Sequence, residues 1–135
     1  MKISSAKNKG RRLQNEIVTL LKRYFGFDNS DVKSIPGSVN GEDVWLSKYA
    51  REKFPFSIEA KNSERLNIWK AILQATANRG ENVQLVVFRK NFLSPYVTLD
   101  LETFLYIWKL CLRFVPTELL SAEALIIAEH DHESK

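Results

Sequence analysis

Residues 83–88 read VQLVVF, an apolar run rich in β-branched valine and broken only by Gln84. A run of this kind forms a strand buried on both faces, and a doubly buried strand needs covering layers above and below its sheet. The flanking sequence supplies them. In GRRLQNEIVTLLKRYFG, Leu13, Ile17, Leu20, Leu21 and Tyr24 recur at spacings of three and four, the mark of an amphipathic helix ending at Gly26. A second helix is predicted from about Ser63, its N-cap, to Gly80, with Leu66, Trp69, Ile72, Leu73 and Thr76 inward. A third starts at Asp100 and carries Phe104, Ile107, Trp108 and Cys111 on one side, with another helix after it.

The segment DNSDVKSIPGSVNGED is punctuated by turn residues. EDVWLS then alternates, with Val44 and Leu46 on one face and Asp43, Trp45 and Ser47 on the other; KYAREK is short enough for a hairpin-like link to the strand FPFSIEAKN, and PYVTL is a further candidate strand. The expected architecture is a single α/β domain, a central mixed β-sheet flanked by helices in the order αβββαβ with C-terminal helices after it.

At 135 residues, with 44% hydrophobic and 27% charged, the chain can bury the core of one domain and has no room for a second. It has neither a membrane-length apolar stretch nor the apolar core of a secretion signal in MKISSAKNKGRR, which points to a soluble, cytoplasmic protein. A lone Cys111 in an apolar run excludes an intramolecular disulfide and a cysteine metal cluster. The net charge of +4 is unevenly spread: Lys2, Lys7, Lys9, Arg11 and Arg12 come with no acid among them, whereas ELLSAEALIIAEHDHESK is mainly acidic. A basic start suits DNA, because neutralising phosphates releases counterions. Residues 1–9 read as a flexible basic arm that orders on DNA, and residues 129–135 as a frayed acidic tail.

The chemistry concentrates in residues 54–64, FPFSIEAKNSE. Side chains alternate along a strand, so Ser57, Glu59 and Lys61 share one face at about 6.6 Å per two residues, with Ile58 and Ala60 on the other. If residues 42–47 pair with 56–61, the carboxylates of Asp43 and Glu59 converge. Two carboxylates held that close repel unless a divalent cation lies between them, and hard oxygen ligands select Mg²⁺, with Mn²⁺ as a substitute. Such a cation polarises a phosphate oxygen and activates water, while Lys61 orients that water or stabilises charge growing on the phosphorus centre. The reaction served is phosphodiester hydrolysis.

The pieces KGRRLQNEI (Lys9 to Ile17), GEDV (Gly41 to Val44) and IEAKN (Ile58 to Asn62), extended by LQA (Leu73 to Ala75) and VVFRKN (Val86 to Asn91), resemble the PD-(D/E)XK nuclease superfamily. The likeness is strongest to the small Holliday junction resolvases of archaea and their phage-encoded relatives. It covers roughly residues 9–91. It implies a restriction-endonuclease-like fold, a Mg²⁺-dependent endonuclease cutting branched DNA as a homodimer in a bacterial or phage-infected cell, Asp43 and Glu59 on metal, and Lys61 assisting. The archaeal resolvases place a first-helix Glu where this chain has Gln14; the nearest acid, Glu16, lies about 200° further round the helix. Either Glu16 enters from the other edge of the apolar stripe as a further metal ligand, or Gln14 gives a neutral contact. Gln74 either approaches the metal-bound water or belongs, with Lys70 and Asn78, to a solvated helix face; Lys90 and Arg89 stand where a strand end can meet a phosphate.

Trp69 and Trp108 lie in apolar patterns and read as core, while Trp45 shares a face with Asp43; His130 and His132 alternate in a polar terminus that makes a poor metal site. With no sequence-reading module present, recognition of backbone geometry is the simpler expectation. Two alternatives stand beside it: a nuclease of the same superfamily acting on nicked, flapped or linear duplex or as a restriction enzyme, and a catalytically silent DNA-binding domain.

Overall fold

A computed structural model describes residues 3–37 and 41–133, with the side chains of 3–5 and 130–133 excepted. The described residues form a mixed α/β structure of five α-helices, a 3₁₀ turn and five strands in two sheets, one of two antiparallel strands and one of three mixed strands. The strands therefore divide between two sheets instead of joining one central sheet. The chain falls into two compact units, Met1–Thr98 and Leu99–Lys135.

The first unit opens with α1 (Ile3–Phe25). It begins at Ile3, so residues 3–9, expected as a flexible arm, form its first turns. Leu13, Ile17 and Leu21 make the buried stripe, and Tyr24 falls outside it, exposed. The helix closes where the Gly26 amide donates to the Lys22 carbonyl at 2.9 Å, with Gly26 at φ 69°, a left-handed conformation that glycine adopts without steric cost. Strands β1 (Val32–Ser34) and β2 (Val44–Leu46) pair antiparallel, Val32 opposite Leu46 and Ser34 opposite Val44. Val44 and Leu46 are buried and Trp45 faces out, as the alternation in the sequence requires. KYAREK is a short helix, α2 (Lys48–Lys53), and not a hairpin link; the Ser47 hydroxyl caps it by accepting from the Ala50 amide at 3.1 Å.

Strand β3 (Phe56–Asn62) runs parallel to β4 (Val83–Arg89), and β5 (Tyr96–Thr98) adds antiparallel to β4. A parallel pair needs a crossover, supplied by α3 (Ile68–Asn78). β3 continues to Asn62, so α3 starts later than Ser63, and its cap is Asn67, whose side chain accepts from the Lys70 amide at 3.1 Å. Its inner face also differs from the apolar reading of the sequence. Ala71 and Ala75 pack on Val86, flanked by Leu66, Ile68, Ile72 and Phe88, while Trp69 and Leu73 are 74% and 71% exposed. Small side chains let the helix approach the strand pair closely, and turning the helix to bury Trp69 would pull the alanines off Val86. Trp69 is therefore a surface residue, and Trp108 is half-buried.

The two faces of β3 receive different helices. On the Glu59 and Lys61 face, the Lys61 ammonium donates to the Gln74 side chain of α3 at 3.0 Å. On the Ile58, Ala60 and Asn62 face lies α1, where the Asn62 side-chain Nδ2 donates to the Lys9 carbonyl at 3.3 Å.

The second unit holds α4 (Leu101–Phe114), the 3₁₀ turn Thr117–Leu120 and α5 (Ala122–Glu133). Asp100 caps α4 as expected, accepting from the Thr103 amide at 3.2 Å. Residues 129–133, expected as a frayed tail, belong to α5. The side chains of His130 and His132, like residues 134 and 135, lie outside the described residues. Among the described residues no helix is long and apolar enough to cross a membrane.

Candidate functional site

Strand β2 pairs with β1 and forms no ladder with β3, yet Asp43, just ahead of β2, reaches β3 by itself. Its backbone amide donates to the Ile58 carbonyl at 2.8 Å, and its carboxylate Oδ2 accepts from the Ala60 amide at 2.7 Å. One residue thus satisfies two polar groups on the strand edge that β4 leaves open, and it does so on either side of Glu59. The convergence expected of residues 43 and 59 is achieved, by a single residue in place of a paired strand.

Glu59 is 2% exposed. Its Oε1 lies 3.3 Å from the Lys61 ammonium, which also donates to Gln74, so Lys61 is held between a strand neighbour and the facing helix. Its Oε2 is buried without a hydrogen-bond partner. Leaving a carboxylate oxygen in that condition costs free energy that a cation or a donor would recover. Burial raises the pKa of Glu59, and the Asp43 charge raises it further, against the opposing pull of Lys61 and of the Asn78 side chain. Burial also raises the pKa of Asp43, opposed by the Ala60 amide, the Lys61 charge and a hydrogen bond with Glu59. The two carboxyls therefore lie within each other's electrostatic reach, with the Lys61 ammonium beside them.

Ser57 is buried on the same face. Of the helix row Lys70, Gln74 and Asn78, the last two turn toward the site, Gln74 to Lys61 and Asn78 to Glu59, and Lys70 stays exposed. Spacing by four places all three on one side of α3; only the strand opposite shows that this side meets Glu59 and Lys61.

Glu16 does not join them. Its carboxylate pairs with the Arg89 guanidinium. Arg89 is opposite Asn62 in the parallel register, on the face of the sheet that α1 covers, whereas Glu59 and Lys61 look toward α3. The same pair occupies Arg89, which was a candidate for phosphate. Gln14 is buried and accepts from the Ser34 hydroxyl at 2.7 Å, which makes it a tie between α1 and β1. Among the described residues no group of three His, Cys, Asp or Glu side chains able to hold a metal ion forms, so the donor set at β3 is the two carboxylates of Asp43 and Glu59, with the Lys61 ammonium beside them.

The basic residues divide as well. Lys7, Arg11, Arg12 and Lys90 are exposed, and Lys9 is 8% exposed, packed at the end of β3. Lys7 and Arg11, with Asn8, Gly10, Gln14 and Gly37, line an open cavity of about 470 Å³. Trp45 stands under the Lys33 ammonium, 5.5 Å from its ring centroid.

Glu42 is the residue that sequence reasoning passes over. Its carboxylate pairs with Arg51 of α2, and Arg51 also donates to the Phe56 carbonyl at 2.8 Å, which ties the segment holding Asp43 to the start of β3. Its adjacency to Asp43 in GEDV is the only signal the sequence carries for that role.

The raised pKa values set a stability prediction. A folded-state pKa above the unfolded one means the native protein holds a proton that the unfolded chain has already released. The unfavourable contribution of each group therefore grows as pH rises past its unfolded pKa and is complete above the folded one. In EDTA at neutral pH, Glu59→Gln is expected to raise the melting temperature by roughly 2–4 °C. The gain should shrink to nothing as pH falls into the range where Glu59 is protonated, which a series of thermal melts would show.

Compared with models of known protein families, with curated proteins and with solved structures, the chain matches none.

Proposed function

We propose that the first unit is a divalent-metal-dependent endodeoxyribonuclease of the PD-(D/E)XK type with a restriction-endonuclease-like fold, acting on branched DNA as a Holliday junction resolvase does, as a homodimer in the cytoplasm. The observation that carries this reading is the meeting of Asp43, Glu59 and Lys61 on one edge of β3, with a buried, unpartnered Glu59 oxygen among them. That oxygen and the mutual repulsion of the two carboxyls fit a hard divalent cation, Mg²⁺ or Mn²⁺, with Asp43 and Glu59 as its protein ligands. When bound, the ion supplies Lewis-acid polarisation of a phosphate oxygen and a lowered pKa for water.

The residues of the chain do the rest. Asp43 is fixed by its bond to Ala60, so its carboxylate cannot swing away from Glu59. Lys61, held by Glu59 and Gln74, presents a cation where negative charge grows as the phosphodiester is attacked, and it can orient the attacking water. Gln74 holds the Lys61 ammonium from α3, and Asn78 on the same helix row favours the charged form of Glu59. The exposed Lys7, Arg11 and Arg12 of α1 and Lys90 supply positive charge for the phosphates of bound DNA.

The test uses a labelled four-way junction with matched nicked and linear duplexes, in Mg²⁺ or EDTA. Paired symmetric incisions at the junction, dependent on Mg²⁺, are the expected result. Equal cutting of linear duplex would move the protein to another nuclease of the class, and binding without incision would leave a DNA-binding module.

A further inference from the structure

α4 leaves an apolar stripe without cover. None of its residues is buried, and Leu101, Leu105 and Leu112 are 69%, 54% and 53% exposed, with Trp108, half-buried, completing a four-three-four spacing. That spacing is the seam of a two-helix coiled coil, since it keeps one line of side chains facing a partner helix. The helix's half-buried side, Thr103, Ile107, Leu110 and Cys111, lies elsewhere on its circumference.

The charges beside the stripe identify the partner. Glu102 and Lys109 are seven residues apart, hence on the same flank, and Arg113 follows one turn later. The opposite flank, at Phe104 and Cys111, is uncharged. A twofold axis turns one copy end for end and brings like flanks together. With the axis through the middle of the stripe, between residues 106 and 107, Glu102 of one copy falls opposite position 111 of the other, between its Lys109 and Arg113. A parallel pairing would set the charged flank against the uncharged one. We infer that α4 is the interface of an antiparallel homodimer, in which the leucine stripes pack together and Glu102 of each copy meets Lys109 and Arg113 of the other. This names the surface for the homodimer proposed above and stands on α4 alone, so a protein without nuclease activity would leave it untouched.

Sedimentation velocity on the full chain tests it. The unmutated protein should sediment as a dimer, and Leu105→Asp, at an exposed position, should give a folded monomer by circular dichroism. Glu102→Lys makes the flank all positive, and the double variant Lys109→Glu, Arg113→Glu makes it all negative; each should weaken self-association about tenfold or more. An equimolar mixture of the two should recover the dimer, because each flank then meets its opposite. A monomer at the highest soluble concentration would overturn the inference, whether some other protein covers the stripe or none does. A dimer indifferent to Leu105→Asp, or a mixture no stronger than its components, would overturn it as well.

Discussion

Replacing Glu59 by Gln is expected to slow Mg²⁺-dependent cleavage of a branched substrate about 10³-fold, equivalent to roughly 4 kcal/mol of lost transition-state stabilisation. The substitution keeps the size of the side chain and an oxygen for the Lys61 ammonium, now 3.3 Å away, so the fold and the DNA-binding surface stay as they are. What it removes is a charge, and with it the buried Oε2 anion that has no partner in the chain. Asp43→Asn should act alike, since an amide oxygen can still accept from the Ala60 amide but carries no charge toward a cation. Lys61→Met should cost about 10²–10³-fold in rate. Single-turnover cleavage beside a binding titration of the same junction separates the outcomes, because all three variants should bind DNA with little change. A Glu59→Gln variant within tenfold of the unmutated rate would remove that carboxylate from the chemistry.

The second large effect is on stability. Leu13 is 0% exposed on the buried stripe of α1, and Leu13→Ala should destabilise the first unit by about 3–4 kcal/mol, through lost burial and the cavity left behind. Trp69→Ala, which removes a larger apolar side chain, should cost less than about 0.5 kcal/mol because Trp69 lies on the surface of α3. Urea unfolding followed by far-ultraviolet circular dichroism compares the two directly. A larger loss from Trp69→Ala than from Leu13→Ala would mean that α3 is rotated from the orientation described.

That contrast also shows what the sequence makes legible. The buried side of α1 is readable because Leu13, Ile17 and Leu21 recur every four residues and draw one line along the helix, although Tyr24, in the same periodic reading, ends up exposed. β4 is readable from VQLVVF for a similar reason: a strand covered on both sides needs little but β-branched bulk. α3 is harder, because its sequence offers two apolar sides. Volume favours Trp69 and Leu73, but close packing on a parallel strand pair favours Ala71 and Ala75, and the second requirement wins. The division into two sheets is hidden for another reason. Three-residue strands such as β1 and β2 are fixed by their partners and by turns, and the alternation of EDVWLS gives its faces without saying which strand lies alongside.

The site divides along the same line. Glu59 and Lys61 share a face by strand geometry alone, so their pairing can be read from two letters and a spacing. Asp43 can be placed beside them only as a conditional, and its contact with Ala60 replaces the strand pairing on which that condition rested. Whether Glu16 faces the site depends on which side of the sheet α1 covers, a tertiary fact with no local signature. The Arg89 pairing places it on the side away from Glu59. Asn78 is the converse case, an ordinary polar residue on a helix row that gains a role because Glu59 lies under it.

The most direct measurement is a calorimetric titration of Mn²⁺ into the DNA-free protein, alongside Asp43→Asn and Glu59→Gln. Saturable binding to the unmutated chain, lost or weakened at least tenfold in each variant, is the expected result. Binding of equal strength in all three proteins, or in none, would contradict a cation held between residues 43 and 59.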